Sequence, residues 1–441
     1  MPRNTLLLGI ALGLASITAC SAGNKNGAGN TGGAGGGQQG GGGQGAQGGS
    51  ANNTGGGDVG GSFVGPGGAG GAQQGSCNHA PGVDDDGDGF LDGDDCNECD
   101  ANVNAGAIEV IAPPNMDGTL PEPADEDCDG MVDNVVASCD AGLQVGNPDP
   151  YAGAAAIELC QKATAADKKW GVLEALYVRA DGSNAAPPDP RQWGIKPSFG
   201  PNVNVQGGER MLVLSAGYAR DASDPDACGS TTCTINYGGS APPGFPQDVP
   251  NCSGSTAIND DVALQLKIRT PKNATGYSFN FKFYSFEFPE WVCTSFNDQF
   301  IALVSPPPMG SINGNVSFDK NTNPVSVNIA FFDVCDPASS AQWAQSCFGG
   351  CPPLPNPYCP SGTAELIGTG FKEWDFGSWA GGTSWLKTQV PVTGGEVIDI
   401  RFAIWDTGDQ ALDSSAMIDN FQWIANGGTV NIGTEEIPDP K

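Results

Sequence analysis

Residues 262–268 read VALQLKI, residues 279–283 read FNFKF and residues 398–404 read IDIRFAI. In the first, Val262, Leu264, Leu266 and Ile268 alternate with Ala263, Gln265 and Lys267. In the second, Phe279, Phe281 and Phe283 alternate with Asn280 and Lys282, and in the third Ile398, Ile400, Phe402 and Ile404 keep the same period. Val325, Val327, Ile329 and Phe331 repeat it once more. A side-chain period of two puts one face of each segment on a core and the other toward solvent, as in antiparallel strands. Further strands are expected over 171–179, 210–215, 299–304, 384–390 and 416–424. About nine strands separated by Gly-, Pro- and Asn-rich turns predict a mostly-β fold, an antiparallel, jelly-roll-like β-sandwich over residues 170–430 with a tail over 431–441. A connector over 141–169 precedes it, with a helical stretch expected over 152–168.

The charge balance narrows the function. The 441 residues include 19 Lys and Arg against 50 Asp and Glu, a formal charge of −31. Phosphate contacts need a dense basic surface, so a nucleic-acid partner is excluded. Histidine occurs once, at His79, which all but removes Ser-His-Asp triads and His-rich zinc sites.

The amino-terminal 140 residues have a different composition. Arg3 precedes an apolar run over residues 6–17, long enough for a signal-peptide core and too short to span a bilayer. The run ends in Ile17-Thr18-Ala19-Cys20, which resembles the bacterial lipobox. That resemblance implies cleavage after residue 19 and lipidation of Cys20, with the outer membrane or cell surface as the site of anchoring. Of 15 cysteines, removal of Cys20 leaves 14, an even number that could pair fully in an oxidising compartment. Residues 20–76 are Gly-rich and cannot bury enough apolar surface to offset their ordering entropy, so a disordered, flexible tether is expected.

Residues 77–140 carry 18 acidic side chains and no Lys or Arg. Their spacing is that of a calcium loop. Asp84, Asp86 and Asp88 occupy positions 1, 3 and 5 of a twelve-residue loop, Gly89 position 6, Asp92 position 9 and Asp95 position 12. Alternate residues of a tight turn aim hard oxygen ligands at one centre. Asp125, Asp127, Asp129, Gly130 and Asp133 repeat positions 1, 3, 5, 6 and 9, but position 12 is Val136, so this loop must recruit a ligand from elsewhere. Calcium is the expected ion at both, with affinity on the order of 10⁻⁴ M.

The runs GVDDDGDGFLDGDDCNECD, NAGAIEV and DEDCDGMVDN resemble the metal-binding motif family named after MopE, whose repeats join a DxDGDG loop, a DC-rich stretch, a PGAxE element and a closing DCDGxxD. This chain has Ala105 where that family usually has Pro, and an insert over roughly 111–124. The family's founding member was associated with copper; an oxygen-rich ligand set suits calcium instead. Cys77, Cys96, Cys99, Cys128 and Cys139 lie in or beside this segment, and a structural disulfide framework is expected of them. Two local bridges are expected among Cys335, Cys347, Cys351 and Cys359.

Two further segments, FYSFEFPEWVCTSFNDQF and IWDTGDQALDSSAMIDNF, resemble the paired hallmarks of the choice-of-anchor L domain family of bacterial surface domains. They bring Glu287, Glu290, Asn297 and Asp298 to one cluster and Asp406, Asp409, Asp413 and Asp419 to another. Glu287, Asp298 and Asp413 are candidates for a second metal site tying strands together. Trp291, Trp374, Trp379 and Trp385 are candidates for stacking on sugar rings. The leading expectation is a lipid-anchored surface protein that binds calcium and presents a sandwich to a surface glycan or matrix protein. A carboxylate-based glycan hydrolase and an acidic metal-sequestering protein are the alternatives.

Overall fold

The computed structural model describes residues 80–437, apart from 112–113, 116, 121, 135, 329–330, 347–358, 375–378 and 426, with backbone alone over 342–346. The expected signal peptide, Cys20 and the tether lie outside the described residues, as do Cys77, His79, Cys347 and Cys351. The described residues fall within one compact unit, Pro66–Lys441.

Fifteen strands are described: β1 (Gly171–Val178), β2 (Trp193–Lys196), β3 (Ser198–Phe199), β4 (Val203–Asn204), β5 (Met211–Ser215), β6 (Ile258–Arg269), β7 (Gly276–Ser285), β8 (Gln299–Ser305), β9 (Val325–Ser326), β10 (Phe332–Cys335), β11 (Gly381–Thr383), β12 (Leu386–Pro391), β13 (Val397–Thr407), β14 (Ser414–Ile424) and β15 (Gly433–Glu436). One sheet has the order β1-β6-β13-β8-β9. The other runs β10-β11-β7-β14-β5-β2, with β12 on β7 and β15 on β12. The pairs are antiparallel, so the expected mostly-β sandwich is what the chain forms.

The alternating segments pair as their periodicity requires. Ile398, Ile400, Phe402 and Ile404 face Ile268, Leu266, Leu264 and Val262 across β13 and β6. From the opposite sheet, Phe279 meets Phe402 at 5.0 Å between ring centroids and Phe281 meets Phe300 at 5.2 Å. All these side chains are buried. Burying each contributes about 1.5–3 kcal/mol, which is why a one-residue slip of register is prohibitive.

Three expectations are corrected. First, β7 is buried on both faces: Asn280 is 3% and Lys282 0% exposed. A second apolar cluster, with Phe199, Met211, Val213, Leu366, Phe371 and Trp385, covers the outer face of that sheet. Lys282 is neutralised there by Glu365, which also accepts from the Tyr284 hydroxyl at 3.0 Å. Trp385 belongs to the same cluster at 1% exposure and offers no stacking surface. Second, the helix expected over 152–168 is confined to α1 (Pro150–Ala155), capped by Asp149. Beyond it Glu158 has φ +72° and Cys160 is bridged to Cys139, while Ala156, Ile157 and Leu159 plug into the main core. Third, residues 325–331 are not one strand. After β9 the chain turns at Val327 and Asn328, and β10 begins at Phe332 in the other sheet; Val325 and Val327 are buried and Phe331 is half-buried.

Candidate metal centres

The two acidic loops share most of their local structure, differing in which backbone N–H reaches Oδ1 of the first aspartate. Asp84 accepts from Gly87 N through Oδ1 at 2.7 Å and from Gly89 N through Oδ2 at 3.0 Å. Asp125 accepts from Asp129 N through Oδ1 at 3.1 Å and from Gly130 N through Oδ2 at 3.0 Å. The third and fifth positions repeat as well: Asp88 N donates to Asp86 and Asp129 N to Asp127, both at 3.1 Å. Phe90 N donates to Asp88 at 2.7 Å and Met131 N to Asp129 at 2.8 Å. Gly89 and Gly130, at position 6, have φ of +95° and +89°, a conformation that side chains with a Cβ rarely adopt.

These turns bring carboxylates together. One oxygen from each of Asp84, Asp86 and Asp88 lies within 4.8 Å of the others. Asp95, at position 12, is 8% exposed and has its Oδ2 without a hydrogen-bond partner. Burial, then the charges of Asp88, Asp86 and Glu98, push its pKa up to about 6. Asp95 feels the charges of Asp86 and Asp88 but is not among the three carboxylates that converge, and buried Glu98 stands beside it. Asp92 is turned to another task, accepting from Gly82 N at 2.7 Å.

In the second loop, where position 12 lacks an acid, a carboxylate from upstream joins the cluster. Glu109 forms one group of close carboxylates with Asp125 and Asp127 and another with Glu126 and Asp133. Asp127 N donates to Glu109 Oε1 at 3.2 Å, and Glu109 Oε2 has no hydrogen-bond partner. Burial is the main cause that pushes Glu109 up to about 7, with Glu126 and Asp127 adding to it. Val136 is exposed and takes no part.

The loops are joined. Cys96 and Cys128 form a disulfide, and Cys99 is also disulfide-bonded. Asn104, fully buried, donates to Asp88 Oδ2 at 2.6 Å from its side chain and to Glu126 O at 2.8 Å from its backbone. Ala105 donates its N–H to Asp94 O at 2.8 Å, a bond that the Pro usual in the MopE-type motif could not make. The acidic segment is seated on the sandwich: Lys272 N donates to Gly106 O at 2.8 Å, and Asn273 bonds Ile108 N and O at 3.0 and 2.8 Å.

A third set of acids lies at one end of the sandwich. Glu287 follows β7, Asp298 precedes β8, Asp406 ends β13 and Asp413 precedes β14. Their exposures are 1%, 0%, 1% and 3%. Asp298 accepts from Thr407 N at 2.8 Å and Ser414 Oγ at 2.6 Å, and its own N–H approaches Glu287 Oε2 at 3.4 Å. Asp413 Oδ2 accepts from Cys233 N at 2.8 Å. Glu287, Asp298 and Asp413 do not form a group of three with oxygens mutually within 4.8 Å, as the loop acids do. Asp413 does meet that distance with Cys228 and Cys233, but those sulfurs are joined in a disulfide and cannot ligate.

Glu98, Glu109 and Asn104 were not singled out as site residues from sequence, and Asp406 was placed in the second acidic cluster but not among the metal-site candidates. Glu109 stands in the NAGAIEV run, so its family element was visible while its role was not. For Asp406 a signal existed: it continues the inward period of Ile400, Phe402 and Ile404. An acid on the apolar face of a strand is itself anomalous.

An antiparallel domain of two main sheets with a seated acidic segment and no described helix longer than ten residues is a β-sandwich module. The model of the choice-of-anchor L domain family matches residues 198–421, about half of the chain, and the protein belongs to that family. Membership marks a surface-anchored protein. No curated protein matches the chain.

Proposed function

We propose that the protein is a lipid-anchored bacterial surface protein whose acidic segment binds calcium and whose sandwich is presented for attachment, with a surface glycan or matrix protein as partner. The observation that carries the calcium reading is the repetition of one hydrogen-bond pattern around two sets of converging carboxylates. Oxygen-only donors at this spacing suit a hard cation. The segment buries few apolar side chains of its own, Phe90, Val103 and Ala107 among the described residues. Hydrophobic burial on that scale does not offset chain entropy, so metal and disulfides supply the rest. The MopE-type resemblance supports the same reading, and the lipobox-like run ending at Cys20 supports the anchor.

Burial of the sandwich carboxylates favours attachment over hydrolysis, since a glycosidase needs its two acids open to substrate. The deciding experiment is a calcium titration of the mature, oxidised protein by calorimetry, with magnesium and copper as controls. Calcium-selective binding that is lost in Asp84→Asn/Asp125→Asn is expected; binding unchanged by that pair would overturn the ligand assignment. For the anchor, Cys20→Ser should move the protein from the membrane to the soluble fraction.

A further inference from the structure

Lys196 ends β2, the edge strand of its sheet, yet its side chain is only 5% exposed. Its neighbour across β5 is Met211, fully buried in the second apolar cluster. The Nζ atom stands between two carboxylates, 2.9 Å from Asp221 Oδ2 and 2.6 Å from Asp224 Oδ2, whose side chains are 4% and 9% exposed. Holding three charges out of water is costly, and a neutral product formed from two of them removes much of that cost. The two aspartates are held differently. Asp221 is engaged on both oxygens: Oδ1 accepts from Ser223 N at 2.9 Å and Ser223 Oγ at 2.6 Å, and Oδ2 accepts from Gly200 N at 3.2 Å. Burial raises its pKa, but the Ser223 hydroxyl and Lys196 outweigh burial and hold it below the usual carboxylate range. Asp224 accepts on Oδ2, from Lys196 Nζ and, at 2.9 Å, from Asp221 N. A backbone N–H on one carboxyl oxygen, with an amine against the same carboxyl, is an acyl-transfer arrangement. The N–H stabilises the charge that builds on that oxygen as nitrogen adds to the carbon.

We propose that Lys196 and Asp224 condense into an intramolecular isopeptide bond once the domain has folded, with Asp221 relaying the protons. A bond forms between Lys196 Nζ and Asp224 Cγ, and the bond from Cγ to Oδ1 breaks. Of the three protons on the ammonium, one stays on the amide nitrogen. The other two are carried by Asp221 to Oδ1, which leaves as water. Asp221 ends as it began, one positive and one negative charge vanish together, and no oxidant, cofactor or second enzyme takes part. The fold supplies the driving arrangement, because fixed contact between two reacting groups replaces an encounter in solution and raises their effective concentration by orders of magnitude. The product ties the edge strand β2 to the segment after β5 across a separation of 28 residues. It is independent of the acidic loops and stands whether or not those bind metal.

The test is peptide mapping of the purified full-length protein by mass spectrometry, after reduction and alkylation in denaturant. Trypsin cuts after Arg191, Arg210, Arg220 and Lys267 and not between Lys196 and Pro197, so unlinked chains release residues 192–210 and 221–267 as separate peptides. The expected product is the two peptides joined, lighter by one water than their sum, with fragmentation placing the link on Lys196 and Asp224. Recovery of both peptides free, at their sequence masses, would overturn the proposal, and this measurement needs no substitution. A link found on Asp221 would overturn the assignment of Asp224. Asp224→Asn should still condense, releasing ammonia in place of water, whereas Lys196→Arg should leave the peptides free. A folded Asp221→Ala variant should lose the link; linkage as complete as in the wild type would overturn the relay.

Discussion

The backbone N–H of Asp127 donates to Oε1 of Glu109 at 3.2 Å, fixing a carboxylate from 18 residues upstream against the second acidic loop. This contact makes good the absence of an acid at Val136. Glu109→Gln keeps the shape and that hydrogen bond but removes a charge. Calcium affinity at the second loop should fall about tenfold or more, roughly 1.4 kcal/mol, with the first loop unaffected. A two-site calorimetric titration would show it; equal weakening of both sites would contradict the assignment.

The disulfide between Cys96 and Cys128 spans 32 residues and ties one loop to the other. Closing a loop of that length lowers the entropy of the unfolded chain by the equivalent of about 3–4 kcal/mol. Cys96→Ser/Cys128→Ser should therefore expose backbone amides of the acidic segment to rapid hydrogen exchange in calcium-free buffer. Calcium should restore much of the protection, while amides of β6 and β13 should change little.

Lys282 and Glu365 form a pair whose lysine is fully buried. Glu365→Gln would leave that charge uncompensated, at a cost of about 3–5 kcal/mol. A fall in Tm of roughly 10 °C is expected for a domain of this size. Lys282→Met added to Glu365→Gln should recover most of the loss. A double variant no better than the single would show that the pair matters for its hydrogen bonds and not its charge.

Asp419 gives the pH dependence. Burial, with a smaller push from Glu158, raises its pKa to about 7, against hydrogen bonds from the N–H groups of Gln206, Asn420 and Gly207 that lower it. Glu158 is itself raised, by burial and by Asp140. The folded state therefore holds a proton that the unfolded chain releases near pH 4. Stability is highest below that value and declines as pH rises to about 7, by something on the order of 2–4 kcal/mol from this group. Calcium-free melting between pH 4 and 8 should show that decline, and Asp419→Asn should make it shallower.

The strands could be read from sequence because the alternation in VALQLKI and IDIRFAI is the pairing itself: Val262 and Leu264 lie opposite Ile404 and Phe402. The converging carboxylates of Asp84, Asp86 and Asp88 were legible for a similar reason, since their spacing sets their geometry. What stayed hidden depends on contacts across the chain. Glu109 reaches its loop from outside any twelve-residue window. Trp385 is buried because residues distant in sequence cover the outer face of β7. The segment 325–331 keeps its period, yet the chain leaves one sheet for the other within it. The burial of Val325 and Val327 was specified there, but not the change of sheet that follows.

The Cys96–Cys128 bridge has a mechanical consequence for a surface-anchored chain. Tension applied from the amino-terminal side reaches Cys96 and passes directly to Cys128 through the sulfurs. The 32 residues of that interval cannot be paid out, which withholds roughly 110 Å of extension. The bypassed stretch contains Glu98, Asn104, Glu109, Asp125 and Asp127, together with the seat on Lys272 and Asn273. Glu109, Asp125 and Asp127, and the contacts that hold the segment to the sandwich, are thus shielded from pulling forces by a covalent shunt, while Asp129 and Asp133 lie beyond it on the loaded path.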